Sequence, residues 1–441
     1  MAFMSFGYRL SSEASPFVEM LDDVPKGVSK VIFAGWASFV FENEQGQIKI
    51  CGEASDAEKE LLRLWSLGNI NNQVDRQSTS ESSVRSKLYG WDALQGYLSP
   101  DGHVIALCLD SSIATDSLYT PRQVYPTALD VASCGPSTDC CTVVVDGQTG
   151  ELYHWTLSNP VPRAVQPLSS QLDSTKSQDS HSRRTKFVRV WAGEAHFLAL
   201  DQDGTLHSWG SGRHGQLGHG DLVSKLFPEP IEALEGIRIA DAACGASFSV
   251  ALSETGDVYT FGLNDHGQLG IGNAAVSQRK LGQGEGQQQG QERCNTALPQ
   301  LVDFFEDSSH CEQGKSYPIE LTVVQVACGH SHTVVLDDEG RVWSCGWGKY
   351  GQLGQDESVL QDRSGSGQGS KNAMEFKQKM LRSKGSLAIG EDRYLFGEVT
   401  VGGMRRWAGV CCGRWSTFVW SEGRGGRRSG ADADKGDKND G

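Results

Sequence analysis

The amino-acid sequence predicts an all-β propeller, and two observations carry that reading. Residues 329–354, GHSHTVVLDDEGRVWSCGWGKYGQLG, read as a β-hairpin followed by a glycine-rich turn. The stretch 332–336 has the β-branched, apolar character of a buried strand, DDEG at 337–340 supplies the reversal, and 341–347 gives the return strand. The same unit recurs without gaps at 193–218 (GEAHFLALDQDGTLHSWGSGRHGQLG) and at 245–270 (GASFSVALSETGDVYTFGLNDHGQLG), in one phase from the leading Gly193, Gly245 or Gly329 to the closing Gln-Leu-Gly. A period near 50 residues, stretched by insertions, marks a propeller or another stacked array and not one mixed α/β core. In the turn that ends each unit, glycine admits positive φ without steric penalty, and Leu353 is expected to tuck inward as an apolar peg.

Length and composition agree with a single domain. The chain has 441 residues, of which 53 are glycine, with 38% hydrophobic and 22% charged residues, which suits a turn-rich β globule. No apolar run approaches the ~20 residues of a membrane span. The N-terminal MAFMSFGYRL lacks a basic region followed by an apolar run, so the expected residence is intracellular, in the nucleus and/or the cytoplasm. A formal net charge of −15 argues against a general electrostatic grip on DNA and leaves basic partners such as histones conceivable, although acidity also simply favours solubility. Cys134, Cys244, Cys328 and Cys412 each stand immediately before a glycine, with Gly413 as the fourth leading glycine. No C-x-x-C pair occurs, so reduced, buried thiols are expected and neither a metal nor a cofactor is implied.

In chain order, SFGYR at 5–9 reads as the second half of a hairpin and 410–420 (VCCGRWSTFVW) as the complementary first half, so the two ends are expected to complete one blade and close the ring. Residues 33–52 repeat the hairpin with Gly35 leading and a turn at Gly46. Residues 55–64 (SDAEKELLRL) read as a short amphipathic helix with a Ser55/Glu58 capping box, replacing the glycine-rich loop. A degenerate hairpin at 91–109, a clearer one at 131–155, and units starting at Phe187, Ile237 and Val323 bring the count to seven blades within a single domain, 1–421. Polar or low-complexity stretches near 71–87, 169–186, 273–295 and 356–385 are expected as flexible insertions, and the Gly-rich charged stretch 422–441 as a disordered tail.

Several motifs invite chemistry and fall short of it. GSGRHG at 210–215 and GWGKYG at 346–351 satisfy G-x-G-x-x-G, but the QLG that follows cannot open the helix whose first turn would face a pyrophosphate. His196 and His332 share a repeat position that holds Phe248, Ser416 and Ser38 elsewhere, a mixture that suits packing and a hydrogen bond to a neighbouring blade better than a metal ring. No nucleophile elbow, zinc-protease helix or Walker lysine motif occurs, so the chain is not expected to be an enzyme. The variable positions between the fixed glycines are more telling: Arg213 and His214, then Asn264, Asp265 and His266, then Trp347, Lys349 and Tyr350. Successive loops lie on one rim of a closed array, where large amphipathic side chains suit a protein partner.

With its turn and closing V-x-x-W-G…G-Q-L-G, the unit G-x-x-H-(S/T)-x-x-(L/V) resembles the regulator of chromosome condensation (RCC) repeat. The resemblance is specific at 193–218, 245–270 and 329–354, weaker toward both ends, and implies a monomeric, seven-bladed propeller. SWGSGRHGQLGHG at 208–220, CGWGKYGQLG at 345–354 and CCGRWSTFVW look most like the small RCC domain-containing branch that accompanies a JmjC histone demethylase, which implies a chromatin-linked adaptor. A second branch, similar in its compact ends, serves diphthamide and Elongator pathways. The founding branch exchanges nucleotide on the GTPase Ran. This chain departs from that branch in its acidic charge, degenerate first blades and lack of a basic N-terminal arm, so guanine nucleotide exchange on a Ran-like GTPase stands as the alternative to the adaptor.

Overall fold

Each recurring unit folds into a short antiparallel sheet whose strands follow one another in chain order. In the computed structural model the described residues are 3–7, 28–34, 38–43, 45, 47–52, 56–75, 87–90, 95–99, 101–109, 119–135, 141–156, 159–165, 185–272, 295–305, 318–349, 351–354, 393–399 and 406–421. After β1 (Phe3–Gly7), β2 (Val28–Ala34), β3 (Ser38–Asn43) and β4 (Ile48–Gly52) form a three-stranded sheet, and α1 (Asp56–Asp75) follows. Four-stranded sheets are then built from β5 (Lys87–Tyr89), β6 (Gly96–Leu98), β7 (Val104–Leu109) and β8 (Tyr119–Tyr125), and from β9 (Ala128–Ser133), β10 (Cys141–Asp146), β11 (Leu152–Thr156) and β12 (Arg163–Ala164). The next two comprise β13 (Phe187–Ala192), β14 (His196–Asp201), β15 (Leu206–Gly210) and β16 (Lys225–Pro230), then β17 (Ile239–Cys244), β18 (Phe248–Ser253), β19 (Val258–Gly262) and β20 (Thr296–Leu301). A two-stranded ribbon, β21 (Phe304–Phe305) with β22 (Pro318–Ile319), precedes β23 (Val323–Cys328), β24 (His332–Asp337), β25 (Val342–Gly346) and β26 (Arg393–Glu398). Finally β27 (Gly409–Cys412) and β28 (Ser416–Trp420) join β1 in the order β1-β28-β27.

The sheets stand face to face around an axis, which explains the near-continuous apolar runs of their middle strands. Every residue of β18 and of β24 is buried, because a middle strand is covered on both faces by neighbouring sheets. One core cluster joins Phe248, Val250 and Leu252 of β18 to Val326, Val335, Trp343 and Cys345 of the following sheet. The first strands β2, β5, β9, β13, β17, β23 and β27 line a central channel of about 460 Å³.

Charged and amide side chains in that channel stitch adjacent sheets together. The Asp130 carboxylate accepts from the Val190 amide at 2.9 Å and pairs with Lys87, Arg189 meets Asp241 at 3.0 Å, and the Gln325 amide bridges the Val410 carbonyl and N–H at 2.9 and 3.2 Å. Burial pushes the Asp241 carboxyl up, against the attraction of Arg189.

The chain is an all-β propeller closed by its two ends: β1 runs antiparallel to β28, with Phe3 opposite Trp420 and Gly7 opposite Ser416. The expectation of seven blades is met in part: among the described residues five sheets have four strands, while the closing sheet and its neighbour β2-β3-β4 have three.

The helix expected at 55–64 runs instead to Asp75, into the stretch read as a loop at 71–87. Ser55 of the expected capping box lies outside the described residues, whereas Glu58 is buried. Leu61, Leu62 and Trp65 pack with Phe33, Val40, Leu88 and Tyr97. Asn, Gln and Ser dominate the composition beyond 70 and suggested a loop, yet the helix continues through 71–75. The expected insertions 169–186, 273–295 and 356–385 lie outside the described residues apart from 185, 186 and 295, and so does 422–441.

Candidate protein-interaction face

Three loops that follow β15, β19 and β25 are held by the same set of bonds. Gly210, Gly262 and Gly346 turn the chain out of the sheet at φ of +103°, +115° and +103°. Seven residues later the buried pegs Leu217, Leu269 and Leu353 return to the core, as their spacing predicts. The hydroxyls of Ser208, Thr260 and Ser344 donate to the carbonyls of those three leucines at 2.6, 2.8 and 2.8 Å. A second set comes from the following sheet: Ser249, Thr333 and Thr417 donate to the carbonyls of Gln216, Gln268 and Gln352 at 2.8, 2.6 and 2.8 Å. Each loop is therefore clamped by its own sheet and by the next.

The two histidines at the shared repeat position complete this clamp. His196 Nε2 lies 2.9 Å from Ser249 Oγ and His332 Nε2 lies 3.1 Å from Thr417 Oγ1. Because each hydroxyl already donates to a glutamine carbonyl, the imidazole Nε2–H must be the donor. Burial pushes both histidines down to about 3, so they are neutral. A serine in that geometry is not a nucleophile facing a base. The same holds for Ser208, which is buried and donates to Leu217 while meeting His219 at 2.9 Å. Leading glycines make room for these rings: a Cβ on Gly193 or Gly329 would overlap His196 or His332, and one on Gly245 would overlap Phe248. The amides of Gly193, Gly245, Gly329 and Gly413 donate to the carbonyls of His196, Phe248, His332 and Ser416, closing each hairpin.

Hairpin tips meet the clamped loops at one mouth of the channel. They are chained by main-chain bonds, from Gly135 to Gly193, Glu194 to Ala246, Ala246 to His330 and His330 to Arg414, at 3.2, 3.3, 3.1 and 2.9 Å. On this frame an aromatic group spans three sheets. The Trp347 ring stacks on His266 at 5.4 Å and stands edge-on to Trp415 at 4.7 Å, and Trp415 lies 4.3 Å from His330. The Arg414 guanidinium sits 5.4 Å over Trp415. Burial, with Arg414 and His266 adding to it, pushes His330 down to about 4, so its 3.9 Å approach to Glu194 is not an ion pair near neutral pH.

Of the rim residues expected from the loops, His266 and Trp347 belong to this group, while Arg213, Asp265 and Lys349 are exposed at equivalent turn positions and His214 is half-buried. Asn264 does not belong to an exposed rim. It is 3% exposed, and its side-chain oxygen accepts from the Leu269 amide at 3.0 Å, so it shapes the turn where the other two loops have Gly212 and Gly348. Tyr350 lies outside the described residues. His330, Arg414 and Trp415 were missed because they sit in the tip just after a leading glycine, a position the loop comparison did not cover. The tip sequences EA, AS, HS and RW vary as strongly as the loops, and that variation was the available signal. Among the described residues no group of three or more His, Cys, Asp and Glu side chains could hold a metal ion, and no helix is long and apolar enough to cross a membrane.

Strand order, clamped loops and leading glycines together define a propeller of tandem glycine-rich repeats. The regulator of chromosome condensation (RCC1) repeat matches at 203–252 and 255–336, a second model of that repeat matches at 187–216, 239–268 and 323–352, and the chain belongs to this repeat family. Mouse RCC1 domain-containing protein 1 is 35% identical over 210 residues, covering 46% of this chain and 52% of the relative. The human protein of that name is 32% identical over 253 residues, 53% and 56% of the two chains, so this chain spans about half the length of the curated relatives it matches. Mouse protein RCC2 is 35% identical over 218 residues, 40% of this chain and 42% of the relative. The solved structure of yeast RCC1 (Prp20) bound to Kap60 aligns with 93% of this chain and 74% of that one, at 16% identity and a TM-score of 0.43, and at that score supports nothing further.

Proposed function

We propose that this chain is a non-enzymatic, seven-bladed, monomeric propeller that binds a partner protein through the face carrying Trp347 and Trp415, as an adaptor in a chromatin-linked or a protein- or tRNA-modification complex of the nucleus or cytoplasm. The observation that carries the reading is the aromatic group itself. Two half-buried tryptophans and an arginine, the residue types that dominate binding energy at protein interfaces, converge from three sheets. Their loops and tips are already fixed by the clamps, so little ordering cost accompanies docking. Exposed Asp265 and Lys349 lie in the loops that carry His266 and Trp347, and with Arg213 at the equivalent position of a third loop they would supply charge for specificity. A JmjC-type demethylase, a histone, and a diphthamide or Elongator component are the partners to test first, and the relatives named RCC1 domain-containing protein 1 favour starting with the chromatin side.

Purification of the tagged chain from its native cells, followed by binding isotherms with the protein that accompanies it, tests this directly. Trp347→Ala and Trp415→Ala should each weaken binding by roughly tenfold or more with the thermal midpoint nearly unchanged. Loss of stability in proportion to loss of binding would mean that the tryptophans only brace the fold. Stimulated release of a fluorescent nucleotide from Ran at catalytic amounts of the chain would replace the adaptor with an exchange factor.

A further inference from the structure

The outer strands of the sheets are not equally covered. Gly220, in the loop after β15, donates its amide to the Ala297 carbonyl of β20 at 2.9 Å and lies against Leu298. Gly272, in the loop after β19, does the same to Tyr394 of β26 at 2.7 Å, beside an antiparallel bridge from Ile271 to Leu395. After β4 the corresponding connection is α1, which packs against β8. Each of these outer edges is thus covered by the connection from the preceding sheet.

Among the described residues, no such connection reaches β16. Lys225, Thr296 and Arg393 pair with Gly210, Gly262 and Gly346, so Leu226 is the equivalent of Ala297 and Tyr394. The connection that should reach it, after β11, is only residues 157–162, against 211–224 after β15, and no described segment pairs with the outer edge of β16. Leu226 is 82% exposed, with Leu222 at 53% and Val223 at 58% beside it and Val161 at 61% on the short connection. Exposed apolar side chains along an unpaired strand edge form a template for another strand.

We propose that the edge of β16 at Leu226 takes a short extended peptide segment from another protein, carrying an apolar residue next to a glycine or other small residue. The covering segments of this chain supply the chemistry: Gly-His-Gly lies on β20 and Ile-Gly on β26, each giving one amide to the position equivalent to Leu226. Pro228 and Pro230 prevent a longer ladder, which limits the occupant to a few residues and disfavours two copies of β16 pairing with each other. Lys225 and Glu229, paired at 2.9 Å, flank the site. The surface is separate from the tryptophan face and does not depend on it.

A library of random dodecapeptides displayed on phage and selected on the full chain tests this, with affinities of the selected synthetic peptides measured by fluorescence anisotropy. Selected peptides should share the apolar-and-glycine pattern, bind L226D at least roughly tenfold more weakly, bind W347A unchanged, and slow hydrogen exchange at the Leu226 amide. The Leu226 side chain lies in solvent, so L226D should keep the thermal midpoint of the parent. Recovery of no peptide, or only of peptides indifferent to L226D, would overturn the proposal. Sedimentation showing a dimer that L226D returns to monomer would overturn it in favour of a second copy.

Discussion

At Gly262 a side chain is excluded twice over. The φ of +115° disfavours any L-residue, and a Cβ would stand 2.6 Å from both Phe248 Cα and the Ser247 carbonyl oxygen. Gly236, at +82°, has nothing within 4 Å of such a Cβ. Gly236→Ala should therefore cost about 1 kcal/mol of backbone strain, whereas Gly262→Val should cost about 3 kcal/mol or more, read by chemical denaturation. Equal losses would show that the crowding at 262 relaxes freely. The buried histidines make a second prediction. His196 and His332 stay neutral down to about 3 in the fold, whereas in the unfolded chain they take up a proton near 6.5. Their contribution is complete above pH 6.5 and declines as pH falls from there toward 3, by up to about 1.4 kcal/mol per unit for each. A denaturation series between pH 7 and 4 should be flatter in the double variant His196→Phe, His332→Phe, because phenylalanine already occupies this position at Phe248. An unchanged slope would mean that other groups set the acid limit. At this scale the repeat showed that His196 and His332 were structural, whereas the burial of Asn264 depends on a turn-closing bond to Leu269 that spacing does not reveal.

Between elements, the clamp bonds differ in what their loss exposes. Thr417 donates to the Gln352 carbonyl and accepts from His332, so Thr417→Val would leave a buried imidazole N–H without its partner. Thr333 donates to the Gln268 carbonyl, but faces Phe248 where Thr417 faces a histidine. Thr417→Val should cost about 2–3 kcal/mol and Thr333→Val about 1 kcal/mol in equilibrium unfolding. The reverse order would assign the larger share to the loop carbonyls. Hairpins and their turns were readable at this scale because β-branched runs and glycines punctuate them. The far end of α1 was not, since its polar residues 71–75 carry the composition of a loop. Nor was the edge of β16, which no described segment pairs with, legible, because it depends on a short connection in one sheet and on register in the next.

For the whole molecule, the phase of the repeats was enough to predict ring closure by the two ends, and β1 does pair with β28. The tryptophan face was only half visible, because Trp347 and Trp415 lie far apart in the chain and meet only when the sheet of β27 and β28 packs on that of β23 to β26. Deleting residues 1–9 should therefore lower the thermal midpoint and expose the edge of β28, seen as concentration-dependent aggregation. A deletion variant that stays monomeric with an unchanged midpoint would show that β27 and β28 suffice.

Register also sets how this closure would respond to force. Phe3 stands directly opposite Trp420, so handles attached just outside these two residues would pull on the same end of the β1–β28 ladder. Tension would then load its hydrogen bonds one pair at a time, as a zipper opens, and not all together as in shear. In an optical trap the seam should be the first structure to yield, at low force and reversibly, well before any other sheet. A handle moved from the Phe3 side to the Gly7 side of β1 would load the same bonds in parallel and should raise the force needed to part them.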